Sequence, residues 1–381
     1  MNIAFYAPMK PPTHKAPSGD RRVARLLMRA LEGAGHEVEL ASRFRAYEGE
    51  GDRRRQMALK SSGLRAARRL IAKYKTRRPA ERPRLWFTYH LYHKAPDWIG
   101  PEVAEALGIP YVVAEASFAR KQTHGPYALN NEAAAGAIGR AAAVISFTPE
   151  DETGLAPLGL VPSRLHRLPP FLDPEPYQTA REARWDHRAR LAASLDLDPA
   201  QPWLLAVGMM RPGDKLASYR LLGRALELIG RPRFALIVVG DGEARGAVEQ
   251  ALAPLGPERV RYAGMRAEDD LPDFYAVADL MVWPAVNEAY GMALLEAQAA
   301  GLAVVAGHER GVSEIIVDGV TGALVEARNP MSFAEAVVRL LDDDARRAAF
   351  GQAAYDRVAT RHSLKTASAA LGTLLRSVVS A

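Results

Sequence analysis

Apolar positions fall into two rhythms along the chain. Runs of three to six residues, the length of a buried strand, alternate with stretches in which apolar residues recur every three or four positions. In the first half the runs are Asn2–Ala7, Glu37–Ala41, Leu85–Tyr89, Tyr111–Ala114 and Ala142–Phe147. In the second they are Trp203–Val207, Phe234–Val239, Val260–Ala263, Leu280–Trp283, Ala303–Ala306 and Ala323–Val325. Between the first two runs, Val23, Leu26, Leu27, Ala30 and Leu31 share one helical face, and Gly33 and Gly35 are placed to stop that helix. Strands that alternate with helices from end to end predict parallel sheets covered by helices.

The rhythm breaks between Leu168 and Pro202, where Pro169, Pro170, Pro174, Pro176, Pro199 and Pro202 cluster among charges. With 381 residues there is chain enough for two cores. The expected division is an N-terminal domain over 1–175, a linker over 176–202, a second domain over 203–360 and a C-terminal helix over 361–381 that packs back on the first. The expected fold class is α/β: two Rossmann-like, doubly wound domains facing each other across a cleft. Such sheets bind ligands outside the carboxyl ends of their strands.

Composition narrows the chemistry. There is no cysteine, which excludes disulfides, thiol nucleophiles and thiolate metal sites. MNIAFYAP does not read as a signal peptide, and no apolar stretch approaches the ~20 residues of a membrane span, so a cytoplasmic protein is expected. The net charge is +6, yet thirteen Lys/Arg against one acid, Glu81, lie within 53–84. In this segment Leu64, Ala67, Ile71 and Tyr74 share a helical face, with Arg65, Arg68, Arg69 and Lys73 off it. Three readings stay open: a basic amphipathic helix on an anionic membrane, peripheral to its inner face; a site for an acidic glycan; or the solvated face of a helix packed into its domain. No interleaved aromatics accompany the charges, so nucleic acid is not an expected partner.

The most informative stretch is Ala278–Gly301. A buried strand ends at Pro284, a loop carries Glu288, and a helix opens near Tyr290-Gly291 and runs through Glu296. A helix opening just past a strand end offers free N–H groups and a positive dipole end to a diphosphate. Gly291 lets a ligand approach the backbone. Eight residues of continuous helix correspond to ~12 Å of rise and ~80° of rotation, so Glu288 and Glu296 cannot form an acid/base dyad on one atom. They can grip two ends of one elongated ligand.

This segment resembles the signature of the GT4 family of retaining glycosyltransferases (glycosyl transferases group 1), which have the GT-B fold. The matching residues are Ala278-Asp279, Pro284, Glu288, Tyr290-Gly291, Glu296-Ala297, Ala299, Gly301 and Val304-Val305. Supporting resemblances follow in order: Gly208 after the first strand of the second half, Gly240-Asp241-Gly242, Gly264-Met265, Gly311–Ile315 and Thr321–Val325. The resemblance implies that Glu288 contacts the donor sugar and Glu296 the ribose of a nucleotide diphosphate sugar. Gly208, Gly242, Met265, Tyr290 and Gly291 would complete the donor site. It also implies retention of configuration and a glycan or lipid-linked acceptor, with capsule, lipopolysaccharide or exopolysaccharide assembly as settings.

Two departures stand out. Lys215 fits the family's diphosphate-binding lysine, but Met209 stands where an arginine is usual, and Arg211 is the candidate to replace it. The strand near Tyr111–Glu115 ends without the histidine many relatives carry. His90 is taken as a catalytic candidate, with Gly19, His93, Glu115 and His124 on the acceptor side. Lys215, Arg211 and the helix start supply positive potential by themselves, so neither a metal nor another cofactor is expected. The loop Lys10–Asp20 is a further candidate border of the site.

Overall fold

A computed structural model describes residues 1–15, 18–230 and 234–380. Ala16 and Pro17 of the loop Lys10–Asp20, and the terminal Ala381, lie outside the described residues. The chain forms two units, one of Met1–Pro169 with Leu364–Ala381 and one of Pro170–Ser363.

The first unit contains β1 (Asn2–Tyr6), α1 (Gly19–Gly33), β2 (Glu37–Ser42), α2 (Arg53–Thr76), β3 (Leu85–Leu91), α3 (Gly100–Leu107), β4 (Tyr111–Ala116), α4 (Ala128–Arg140), β5 (Ala143–Ser146), α5 (Pro149–Leu155) and β6 (Leu165–Arg167). All strand pairings are parallel, in the order β2-β1-β3-β4-β5-β6. Strand order therefore reverses between β1 and β3, where a doubly wound sheet opens its ligand crevice. The core strands are buried on both faces, and Phe5 stacks on Phe87 at 5.8 Å. β6 has no apolar run to announce it: Leu-His-Arg at the sheet edge is half-buried throughout.

The helix α2 is held at its start by Asp52, whose carboxylate accepts from Arg54 N and Arg55 N. Its apolar face is spent inside the unit. Ala67, Leu70 and Tyr74 join the core cluster, with Ile71 packed against it, and a Cβ on Gly63 would strike Trp98 at 2.4 Å. What remains outside is a charged row that includes Arg54, Arg65, Arg68 and Arg69. The face read as membrane-inserting is thus a packing face. Among the described residues no helix is long and apolar enough to cross a membrane.

The second unit contains α6 (Glu175–Glu182), α7 (Arg184–Leu195), β7 (Trp203–Val207), α8 (Asp214–Glu227), β8 (Ala235–Val239), α9 (Arg245–Leu252), β9 (Val260–Gly264), α10 (Leu271–Val277), β10 (Leu280–Trp283), α11 (Met292–Ala299), β11 (Val304–Gly307), α12 (Val312–Ile315), β12 (Ala323–Val325), α13 (Pro330–Leu341) and α14 (Asp344–Arg361). Its six parallel strands run β12-β11-β10-β7-β8-β9, with the reversal between β7 and β10.

The segment 176–202 is not a linker. Pro174 and Pro176 sit at the N-terminal end of α6, where a missing N–H costs nothing, so prolines that read as chain breakers are helix starters. Helices α6 and α7 pack on α10. Arg184 and Arg188 of α7 bind both carboxylate oxygens of Asp279, at 2.7 and 3.0 Å, and donate to the carbonyls of Ala276, Val277 and Ala278. Asp279 Oδ2 also accepts from Trp203 N at 2.8 Å, which ties β7 to the start of β10. After α14 the chain re-enters the first unit as α15 (Leu364–Ser380), which packs on α1 and buries Leu371 and Leu375.

Candidate active site

In the second unit β7 and β10 are parallel neighbours, with Leu280 opposite Leu204 and Met281 opposite Leu205. The loops that follow them therefore leave the same end of the sheet, at its reversal point. The first leads into α8 and the second, 284–291, into α11. The first turn of α8 and the second loop are fastened together by three contacts. Lys215 Nζ lies 2.5 Å from Glu288 Oε2, Asn287 Nδ2 donates to Asp214 Oδ2 at 3.0 Å, and Val286 N donates to Ser218 Oγ at 3.0 Å. Ser218 in turn donates to the Asp214 carbonyl at 2.9 Å.

These contacts hold a strained loop. Ala285 and Asn287 both adopt left-handed backbone, with φ of 56° and 53°. Such conformations cost about 1 kcal/mol or more each and persist where surrounding contacts over-determine them. The result is that Glu288 faces both Lys215 and Trp283, whose indole Nε1 donates to Glu288 Oε2 at 3.3 Å. Lys215 Nζ stands 5.2 Å from the centroid of that same ring. Asp214, Ser218, Asn287 and Trp283 escaped sequence reading. A usable signal existed for two of them: Asp214, Lys215 and Ser218 lie one and four positions apart, on one face of a helix start.

The other donor-side candidates frame this pair. Gly208 packs so near Trp283 that a Cβ would come within 3.0 Å of the ring, and its carbonyl accepts from Tyr219 Oη at 2.8 Å. Arg211 Nη2 rests 3.0 Å from Met209 Sδ, so the guanidinium lies over the position where the resemblance implies an arginine. Gly240 and Gly242 are required by close backbone approach, since a Cβ would meet the Gly208 carbonyl at 2.0 Å and the Met210 carbonyl at 2.4 Å. Met265 follows β9 and is 56% exposed. Gly291, with φ of 79°, is the residue before α11, while Tyr290 beside it is half-buried. The helix begins at Met292, one to two residues later than expected, so Glu288 belongs to the loop and Glu296 to the helix. Glu296 is 4% exposed, and Tyr275 Oη donates to its Oε2 at 2.8 Å.

The first unit assembles a second group at its own reversal point. His90 is next to last in β3 and Glu115 next to last in β4, side by side between the register pairs Tyr89–Ala114 and Leu91–Ala116. Both are left-handed, with φ of 60° and 55°. His90 Nδ1 lies 3.0 Å from Asp20 Oδ1, in the first turn of α1 right after Gly19. Burial alone would lower the imidazole pKa, but Glu115, Asp20 and Asp151 outweigh it and raise it to about 8. Burial raises Glu115, against the pull of His90, whereas contact with His90 holds Asp20 below its ordinary value in spite of burial. His93 is not in this group. Its ring contacts Tyr92 and Tyr127 at 5.3 and 5.1 Å, and burial with Lys94 and Lys121 lowers its pKa. His124 is exposed on the loop after β4. The structure thus brings His90, Glu115 and Gly19 together, adds Asp20 and Asp151, and leaves His93 and His124 outside.

Among the described residues no group of three or more His, Asp or Glu is arranged to hold a metal ion. Asp-x-Asp occurs at Asp196–Asp198 and at Asp342–Asp344, and these residues sit at helix ends and turns: Asp196 closes α7, Asp198 accepts from Ala200 N, Asp342 closes α13 and Asp344 opens α14.

Residues 201–343 match the family model described as Glycosyl transferases group 1. Over this stretch the chain is similar to the group 1 glycosyltransferases. The D-inositol 3-phosphate glycosyltransferase of Corynebacterium diphtheriae is 41% identical over 101 residues, 26% of this chain and 24% of that protein. The alpha-D-kanosaminyltransferase of Streptomyces kanamyceticus is 30% identical over 246 residues, 64% of this chain and 62% of that one. The chain thus spans less than two thirds of the length of these curated relatives. Anabaena HepE, solved in complex with UDP, superposes with a TM-score of 0.75 at 19% identity over 99% of this chain and 100% of that one. The fold is GT-B, with two six-stranded parallel sheets each flanked by helices.

Proposed function

We propose that this protein transfers a hexose-type sugar from a nucleotide diphosphate sugar to a hydroxyl of a glycan or lipid-linked acceptor, with retention of configuration and without a metal. The observation that carries the reading is the Lys215–Glu288 pair at the reversal point of the second sheet, beside the start of α11. A group that leaves as a diphosphate needs positive potential where its charge develops. Lys215 supplies it, with Arg211 folded over Met209 as the second cation and the first turn of α11 as a dipole end. Glu288 would then meet the donor sugar and Glu296 the ribose, with the base near Met265. In the first unit, His90 and Glu115 would hold the acceptor hydroxyl.

The setting proposed is cytoplasmic. The exposed basic row of α2 favours an anionic partner by charge alone, either an acidic glycan or the inner membrane face, since its apolar side is packed away. The deciding experiment is a thermal-shift screen with UDP-, GDP- and ADP-sugars, followed by acceptor-dependent nucleotide release in the presence of EDTA. One stabilising nucleotide fixes the donor class. Release that needs no acceptor, or that stops with the chelator, would count against the reading.

A further inference from the structure

We propose that Tyr275 is a positioning residue for ribose recognition, setting the angle at which Glu296 meets the sugar of the nucleotide. This rests on the reading of Glu296 as the ribose grip.

Helix α11 is buried along Leu294–Ala299, so Glu296 carries its carboxyl group out of water. A polar group so placed needs a hydrogen-bond partner, and here the partner is a phenol that donates to Oε2 at 2.8 Å. The terminal torsion of a glutamate is broad and roughly two-fold, so a carboxyl held at one end only by its own chain samples many planes. A fixed donor on one oxygen selects one plane, which is what recognition of a diol requires.

Tyr275 is itself fixed. It is fully buried on α10, and its ring packs on Tyr177 of α6 at 5.9 Å with the planes at 58°. Tyr177 is 1% exposed and lies in the proline-bearing segment that joins the second unit. The chain Tyr177, Tyr275, Glu296 therefore connects the outer helix of the unit to one carboxyl oxygen through rigid rings alone. Two aromatic rings carry few rotatable bonds, so the alignment is built before any ligand arrives.

UDP, GDP and ADP share the ribose whatever the base, so the test does not require the donor to be known. Binding of each, and of its 2′-deoxy and 3′-deoxy forms, is measured by calorimetry for the wild type, Tyr275→Phe, Glu296→Gln and the double variant. The expected result is that Tyr275→Phe, still folded by circular dichroism, binds the ribonucleotide about tenfold more weakly, the deoxy form much as before, and adds nothing in the Glu296→Gln background. An unchanged preference for ribose in Tyr275→Phe overturns the role of Tyr275 alone. If the wild type binds none of the three, the nucleotide-sugar reading falls and takes this inference with it. Should Tyr275→Phe lose its fold, Tyr177→Phe is measured instead: it keeps the ring contact, so a ribose preference lost there would overturn the ring-packing account.

Discussion

Lys215 and Glu288, 73 positions apart in the chain, meet at 2.5 Å because α8 and the loop before α11 rise from neighbouring strands of one sheet. The pair is partly shielded, with side chains 34% and 18% exposed. Each partner shields the charge of the other. Replacing Glu288 with Gln should lower transfer about 10²- to 10³-fold with the melting temperature nearly unchanged. Near-normal turnover in a donor-saturated assay would refute the role given to Glu288.

Ser218 ties that loop to α8 without facing the proposed donor. Ser218→Ala removes the acceptor for Val286 N, a buried hydrogen bond worth about 1 kcal/mol. The expectation is a fall in kcat larger than the small loss of stability, because Ala285 and Asn287 can then relax from their left-handed conformations. Equal, minor effects on both would show that the loop keeps its shape unaided.

Arg211→Ala tests the substitution at the Met209 position. Affinity for the nucleoside diphosphate should fall about tenfold, with a smaller loss for the nucleoside monophosphate. Titration calorimetry with both ligands reads the difference, and an unchanged diphosphate affinity would return Arg211 to the solvent.

His90 gives the first unit a pH signature. Its folded pKa of about 8 lies above the ordinary 6.5, so its contribution, about 2 kcal/mol, is fully present below pH ~6.5 and lost as pH rises through 8. Asp20, Glu115 and Asp151 face the imidazole and produce the effect. Urea melts of the wild type between pH 6 and 9 should show this loss, and His90→Gln should flatten it; parallel curves would exclude the ion cluster as its source.

Asp279 is a structural anchor rather than a ligand group. Asp279→Ala leaves the 5%-exposed Arg188 without its carboxylate, and such unpaired burial costs about 3–5 kcal/mol. The second unit should melt markedly earlier, measured by calorimetry.

The strands were legible because buried parallel strands are short apolar runs, and all eleven stretches named have an observed strand within one residue of one or both of their ends. β6 was not, since an edge strand of Leu-His-Arg carries no such pattern. The segment 176–202 misled because proline breaks a helix interior but suits a helix start, and composition does not say which applies. At the site, Glu288, Lys215 and Glu296 were visible through their motif. Asp151, Asn287 and Tyr275 were not, because each acts through a partner brought near only by the fold. The left-handed backbones of His90 and Glu115 were equally hidden, as neither residue type announces a positive φ.

The second unit begins and ends at one place. Leu172 N donates to the His362 carbonyl at 2.9 Å, Leu172 bridges to Ser363, and His362 Nδ1 lies 2.7 Å from the Pro170 carbonyl. A module whose two ends are sewn together can be cut out or replaced as a cassette without opening its own sheet. The first unit has no such freedom, because its last helix is encoded beyond the cassette. Ribosomal synthesis must deliver all of the second unit before α15 exists to cover α1, so the second unit has a full fold available while the first still waits for its cover of Leu371 and Leu375.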